Sequence, residues 1–257
     1  MFYLLIVIIY YHQHLLIHLT SASLLFVEND LRYSLSDRIL NIPKLGSLRG
    51  ISIDYETNYS LKYDLVQVEA YLGIQYGLYH GRFEPSKEKF HVNSNTKINK
   101  QIDYGPACSQ MIWKNQSELI RIRDEHFARD YYPKLLRFIA HQNEHECLFM
   151  NIYQPQIKTT NKGLTRIKNT YRMLHYMLCV VSCLERLLLP VLLYIHGDGY
   201  DIGTGAAFDG SIFASYTKTI VVTINYRLGP FGKFRGHRFN LISFAFVSNQ
   251  WVVITLD

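Results

Sequence analysis

The chain has 257 residues, with hydrophobic residues at 48% and aromatic residues at 14%, so it carries enough apolar side chain for a sizeable core and is not a disordered protein. A mean hydropathy of −0.04 argues against a polytopic membrane protein. The formal net charge of +6 comes from scattered Lys and Arg, a solvated surface rather than a nucleic-acid footprint.

No Asp, Glu, Lys or Arg precedes Glu28, and Phe2 to Tyr11 is continuously apolar or aromatic. That run is too short to span a bilayer by itself. With the small residues Ser21-Ala22-Ser23 behind it, the stretch 1–23 is expected to be a secretory signal peptide, although it lacks a basic start. No later stretch would anchor the chain in a membrane.

Residues 46 to 76 read as short strands with turns, 47–53 and 66–72 in particular. The Lys- and Asn-rich stretch 85–103 reads as a surface loop. Residues 117–141 suit two helical segments, the second opened by Pro133, since proline is tolerated in a first helical turn. A strand is expected at 148–153 and a polar loop at 156–170. The short apolar runs 191–195 and 219–226 read as buried, neighbouring parallel strands. Between them Asp209 is placed to cap a short helix through Ala214.

The run Pro190-Val-Leu-Leu-Tyr-Ile-His-Gly-Asp-Gly-Tyr200 carries most of the chemistry. A buried strand enters His196-Gly197-Asp198-Gly199 directly, and glycines there let the backbone turn sharply and present N–H groups. Alone, this is also the pattern of an ordinary strand-to-loop turn.

Other segments accompany it in order: Tyr71-Leu72-Gly73-Ile74-Gln75-Tyr76, Arg82-Phe83-Glu84-Pro85, Tyr104-Gly105-Pro106-Ala107-Cys108-Ser109-Gln110, His145-Glu146-Cys147-Leu148-Phe149-Met150-Asn151 and Thr223-Ile224-Asn225-Tyr226-Arg227-Leu228-Gly229. On these motifs the chain from Gly46 to Gly232 resembles the type-B carboxylesterase/cholinesterase family. The stretch 203–216, and Pro133-Lys134-Leu135-Leu136 followed by Gln142-Asn143-Glu144, resemble its neuroligin branch.

The resemblance implies an incomplete α/β-hydrolase fold, its N-terminal portion only, with a mixed, mostly parallel central sheet and helices. It implies a disulfide between Cys108 and Cys147, and structural roles for Arg82, Asn225 and Arg227. The family pairs the arginine matched by Arg82 with a glutamate at the position of His145, which leaves Glu144 or Glu146 to substitute, and Glu146 is assigned the structural role. Residues 24–232 would form the N-terminal part of a carboxylesterase-like domain, with an extra segment 156–189 and a divergent tail 233–257.

The resemblance also carries the functional expectation. In the esterases the loop matched by Gly197, Asp198 and Gly199 supplies oxyanion donors. Here Asp198 replaces a glycine. A carboxylate about 4 Å from a developing oxyanion opposes it by roughly 4 kcal/mol at an effective dielectric near 20, nearly a thousandfold in rate. No Gly-x-Ser-x-Gly occurs in the sequence, so no catalytic residue is assigned. A catalytically inactive adhesion ectodomain fragment is expected, extracellular or at the cell surface, with a neurexin-like partner by resemblance and no cofactor. The alternative is an esterase fragment whose nucleophile lies beyond the chain. His175, Cys179 and Cys183 have a helical ligand spacing, but read more simply as an apolar segment with thiols, so no metal is expected. Asn58-Tyr59-Ser60 and Asn115-Gln116-Ser117 are glycosylation sequons.

Overall fold

The computed structural model describes residues 4–7, 31–42, 46–89, 98–157, 189–233, 243–247 and 250–254. Seven strands build one sheet: β1 (Leu4–Val7), β2 (Leu31–Ile42), β3 (Gly46–Tyr55), β4 (Val68–Gln75), β5 (Phe149–Pro155), β6 (Val191–Ile195) and β7 (Ile220–Ile224). Their order is β1-β6-β7-β5-β4-β3-β2, and the two-residue strand Asn99–Lys100 adds to β3. Strands 191–195 and 220–224 lie side by side and parallel, as the order strand, loop, helix, strand leads one to expect.

The sheet is mixed, but its balance differs from the mostly parallel arrangement expected. The β1–β6 and β6–β7 ladders and the short ladder of Asn99–Lys100 on β3 are parallel, whereas β7–β5, β5–β4, β4–β3 and β3–β2 are antiparallel. Connection length explains part of this. The three residues between β2 and β3 can only reverse the chain, whereas β6 and β7 are separated by a crossover containing a helix.

Side chains alternate across the sheet with period two. Met150, Ile152, Leu193 and Val222 face one way with Tyr71 and Ile74. Tyr153, Leu192 and Val221 face the other with Val68 and Ala70, where Ala214 of the helix Ser211–Thr217 packs on them. Ahead of that helix, Asp209 accepts the Ser211 N–H at 2.9 Å. The helix runs three residues past Ala214 and ends at Lys218, whose φ of 57° stops it.

Two helical segments occupy 116–139, in line with the sequence. Gln116–Ile122 is capped by Asn115, and Tyr132–Ile139 has Pro133 in its first turn. A π-helical turn, Phe127–Tyr131, runs directly into the second. Tyr132, Leu135 and Ile139 recur at helical spacing and pack with Leu119, Phe127 and Ile202 in a separate core cluster.

Gly73 shows why one motif position needs glycine. The β4–β5 register shifts between Tyr71 and Ile74, and Gly73 takes φ +68° there. A Cβ at that point would run into the Asp103 carbonyl. The Gly73 N–H donates to Asn151 Oδ1 at 2.9 Å, and Asn151 Nδ2 donates to Thr223 Oγ1 at 2.9 Å. The bulge is thereby tied across three strands.

Several expectations fall mostly outside the described residues. Of 1–23, only β1 is described, and it pairs with Val191–Tyr194 at the sheet edge. Of 156–189, only residues 156, 157 and 189 are described; His175, Cys179 and Cys183 are not. In the tail, Gln250–Ile254 pairs antiparallel with Ser243–Val247 in a hairpin outside the central sheet. Within the loop 85–103, Lys87–Glu88 pairs with Gly77–Leu78. No helix among the described residues is long and apolar enough to cross a membrane.

Candidate functional site

The candidate site is the loop leaving the C-terminal end of β6. His196 is buried, at 6% exposure, and its ring stacks on Tyr226 with centroids 4.3 Å apart and planes at 16°. The Tyr226 hydroxyl donates to the His196 carbonyl at 2.6 Å. Neither imidazole nitrogen has a hydrogen-bond partner among the described residues. Burial lowers the pKa from 6.5 to about 3, so the ring is neutral near pH 7 and a poor general base. Gly203, at φ +125°, lies flat against this ring, where a Cβ would strike Nδ1.

Gly197 and Gly199 are exposed, and Asp198 between them is half-buried. Asp198, Gly199 and Tyr200 all have positive φ, 67°, 72° and 64°. For a non-glycine residue this region is disfavoured, with Asp among the more tolerant. The Asp198 carboxylate turns toward the π-helical turn and accepts the Tyr131 hydroxyl at 2.7 Å. Burial raises its pKa, while the Tyr131 hydrogen bond and the Arg123 charge act against that rise. Tyr131 is itself pushed well above its usual value, first by burial and then by the Asp198 charge. The loop therefore carries a partly buried carboxyl group, between two exposed glycines, that is tied to Tyr131.

The supporting frame is built from the other motifs. Asn225, just past the end of β7, is 4% exposed. Its Oδ1 accepts Thr204 Oγ1–H and Gly205 N–H, both at 2.8 Å, and its Nδ2 donates to the Pro106 carbonyl at 3.1 Å. The Tyr76 hydroxyl donates to the Asn225 carbonyl at 2.6 Å. Gln110 clamps Gly203 from the other side, with Oε1 accepting its N–H at 2.8 Å and Nε2 donating to its carbonyl at 2.9 Å. Two motifs far apart in sequence thus hold the stretch 203–205 that follows the loop.

Cys108 and Cys147 form a disulfide with Cα atoms 4.7 Å apart. Next to it lies a surface pocket lined by Tyr79, Arg82, Ser109, Glu144, Arg227 and Phe231. Arg82 donates to Glu144 through Nε at 2.5 Å and Nη2 at 2.7 Å. Of the two glutamates left open by the sequence, Glu144 takes this place. Glu146, the expected one, is exposed, and its backbone N–H donates to Asn143 Oδ1. The chain turn around Asn143 carries Glu144 toward Arg82. Arg227 Nη1 donates to the Glu84 carbonyl at 2.8 Å. Asn58 and Asn115 are both exposed.

Sequence reasoning missed Tyr131 as the partner of Asp198, and Gln110 as the clamp on Gly203. Gln110 closes the motif around Cys108, which was the available signal; nothing near Tyr131 pointed to Asp198. No cluster of three or more potential metal ligands occurs among the described residues.

The sheet, its helical crossover and the framed loop after β6 define an α/β-hydrolase-type scaffold. The carboxylesterase family model matches residues 36–237, and the chain belongs to that family. Neuroligin-1 of Caenorhabditis elegans is 33% identical over 176 residues, covering 66% of this chain and 18% of that protein. Carboxylesterase 5A of Canis lupus familiaris is 28% identical over 120 residues, covering 47% of this chain and 16% of that protein. A solved thermophilic pNB esterase is similar over 78% of this chain and 30% of its own, with a TM-score of 0.47 and 22% identity. The chain thus spans less than a fifth of the length of these curated relatives.

Proposed function

We propose that this chain is the N-terminal part of a neuroligin-like, catalytically inactive adhesion ectodomain that reaches the cell surface by the secretory route and binds a neurexin-like surface protein. The observation that carries this reading is Asp198. Its carboxylate occupies the position where an esterase loop has a glycine, and Tyr131 holds it there at 2.7 Å. The likeness to Neuroligin-1 and the Cys108–Cys147 disulfide support it.

Residues 24–232 are the domain portion on this reading, and 1–23 the leader. Removal of the leader takes β1 away and leaves β6 as the sheet edge. On the same reading 156–189 is an extra segment and 233–257 a divergent tail.

The likeness to Carboxylesterase 5A favours a second reading, an esterase whose nucleophile lies beyond this chain. One experiment separates the two. The full-length protein is cloned past Gly232, assayed on short acyl esters, and tested for capture by an immobilised neurexin ectodomain. Capture without turnover is expected. Turnover above a heat-killed control, sensitive to a serine-directed inhibitor, would establish the esterase reading instead.

A further inference from the structure

We propose that Asn115 carries an N-linked glycan, and that the glycan leaves intact the helix cap the same side chain provides. The proposal rests on the secretory part of the reading above. Asn115 has an extended backbone, with φ −109° and ψ 114°, and caps Gln116–Ile122. Its Oδ1 accepts both the Ser117 N–H at 3.0 Å and the Ser117 hydroxyl at 2.7 Å. The capping work is done wholly by the oxygen. The carboxamide nitrogen, the atom that would carry the sugar, has no part in those bonds.

The surroundings leave room for a glycan. Asn115 and Lys114 are exposed, and Met111 is 64% exposed. The incoming chain is anchored two residues earlier, where the Trp113 N–H donates to the Tyr132 hydroxyl at 2.8 Å and the two rings meet edge to face. A modification at Asn115 therefore disturbs neither the cap nor that anchor. Ser117, whose hydroxyl donates to Asn115 Oδ1, completes the Asn-x-Ser acceptor.

The chemistry is transfer from a lipid-pyrophosphate-linked oligosaccharide. Asn115 Nδ2 attacks the anomeric carbon of the first sugar, forming an N–C bond. The C–O bond to the pyrophosphate breaks and the lipid pyrophosphate leaves. The amide proton passes to a base of the transferase.

The test is cell-free translation with microsomes, in an Asn58→Gln background so that one acceptor remains. One arm carries a heterologous cleavable leader, the other the native N-terminus. With the heterologous leader we expect a single discrete mass gain reversed by an N-glycosidase, lost in Asn115→Asp and Ser117→Ala, and kept in Ser117→Thr. Asn115→Asp retains the capping oxygen, so its unmodified form should melt like the unmodified parent. The proposal is overturned if no shift appears while a control glycoprotein in the same microsomes is modified, or if the shift survives Asn115→Asp. A shift with the heterologous leader but none with the native N-terminus overturns the secretory reading, and with it modification of the natural protein.

Discussion

Asn225→Ala removes three hydrogen bonds at once, two of them buried and one partly buried. It strands the Thr204 hydroxyl, the Gly205 N–H and the Pro106 carbonyl, each of which now meets the Asn225 carboxamide within 2.8–3.1 Å. A net hydrogen bond contributes about 1 kcal/mol and an orphaned buried group costs about 1–3 kcal/mol, so the expected loss is about 3–5 kcal/mol. That is a large share of the roughly 5–15 kcal/mol that holds a typical native protein. Asn225→Asp makes the sharper comparison. Its carboxyl keeps both acceptor roles, but when ionised it turns an oxygen on the Pro106 carbonyl. Protonated, it donates there as the amide does. Its folded pKa should therefore lie above its unfolded value, so the Asp variant recovers stability as pH falls through the folded pKa. Urea unfolding followed by far-ultraviolet circular dichroism, at pH 7.5 and pH 5, reads both effects. A cost below about 1 kcal/mol for Asn225→Ala would refute the bonding scheme, because a buried three-bond hub cannot be lost so cheaply. An Asp variant with the same deficit at both pH values would refute the role given to Nδ2.

The remaining predictions concern the disulfide, His196 and the surface ion pair. Replacing Cys108 and Cys147 together by Ser opens a loop of about 40 residues and should cost roughly 4 kcal/mol in the chain-entropy model, read as a lower urea midpoint. His196 has its pKa lowered from 6.5 to about 3, so its contribution is lost as pH falls from 6.5 toward 3. By pH 5 that loss is about 2 kcal/mol. Glu69, Asp198 and Asp209 have raised values and act in the opposite direction, gaining stability on acidification. Comparison with His196→Phe, which keeps those carboxyls, cancels them; the stability difference between the two proteins should shift by that amount in favour of the variant, and no shift would count against a neutral buried ring. Glu144→Gln should leave the urea midpoint nearly unchanged, since the pair with Arg82 lies at the surface.

What the sequence made legible follows its physics. Unbroken apolar runs such as 191–195 have few places to go but a strand covered on both faces, and Pro133 has few places other than a first helical turn. The family motifs marked Asn225, Arg227 and the two cysteines because backbone hubs and covalent links leave the same local residue types wherever they occur. Pairings formed only by tertiary approach left no such trace. Tyr131 and Asp198 are 67 positions apart and belong to different elements. Glu144 rather than Glu146 meets Arg82 beside the turn at Asn143, where His145 and Glu146 both donate their N–H groups to one side-chain oxygen. The antiparallel majority in the sheet was equally hidden, because strand composition says that a strand is buried without saying which way its neighbour runs.

On the adhesion reading, the two kinds of residue around this loop answer to different free energies. Asn225, Gln110 and the Gly73–Asn151–Thr223 tie satisfy buried backbone groups in the ground state, so losing them weakens folding whatever the protein does. An oxyanion donor is worth something only while negative charge develops in a transition state. A substitution there leaves folding nearly untouched, provided that the new side chain finds a partner. Asp198 meets that condition. Its left-handed backbone costs an Asp less than it would a bulky or β-branched residue, and the Tyr131 hydroxyl satisfies its buried oxygen at 2.7 Å. The scaffold can therefore remain that of a hydrolase while the loop loses the electrostatics of one. The bonds from Gln110 and Asn225 hold the buried stretch 203–205 that follows the loop, and they do so whether or not chemistry takes place there.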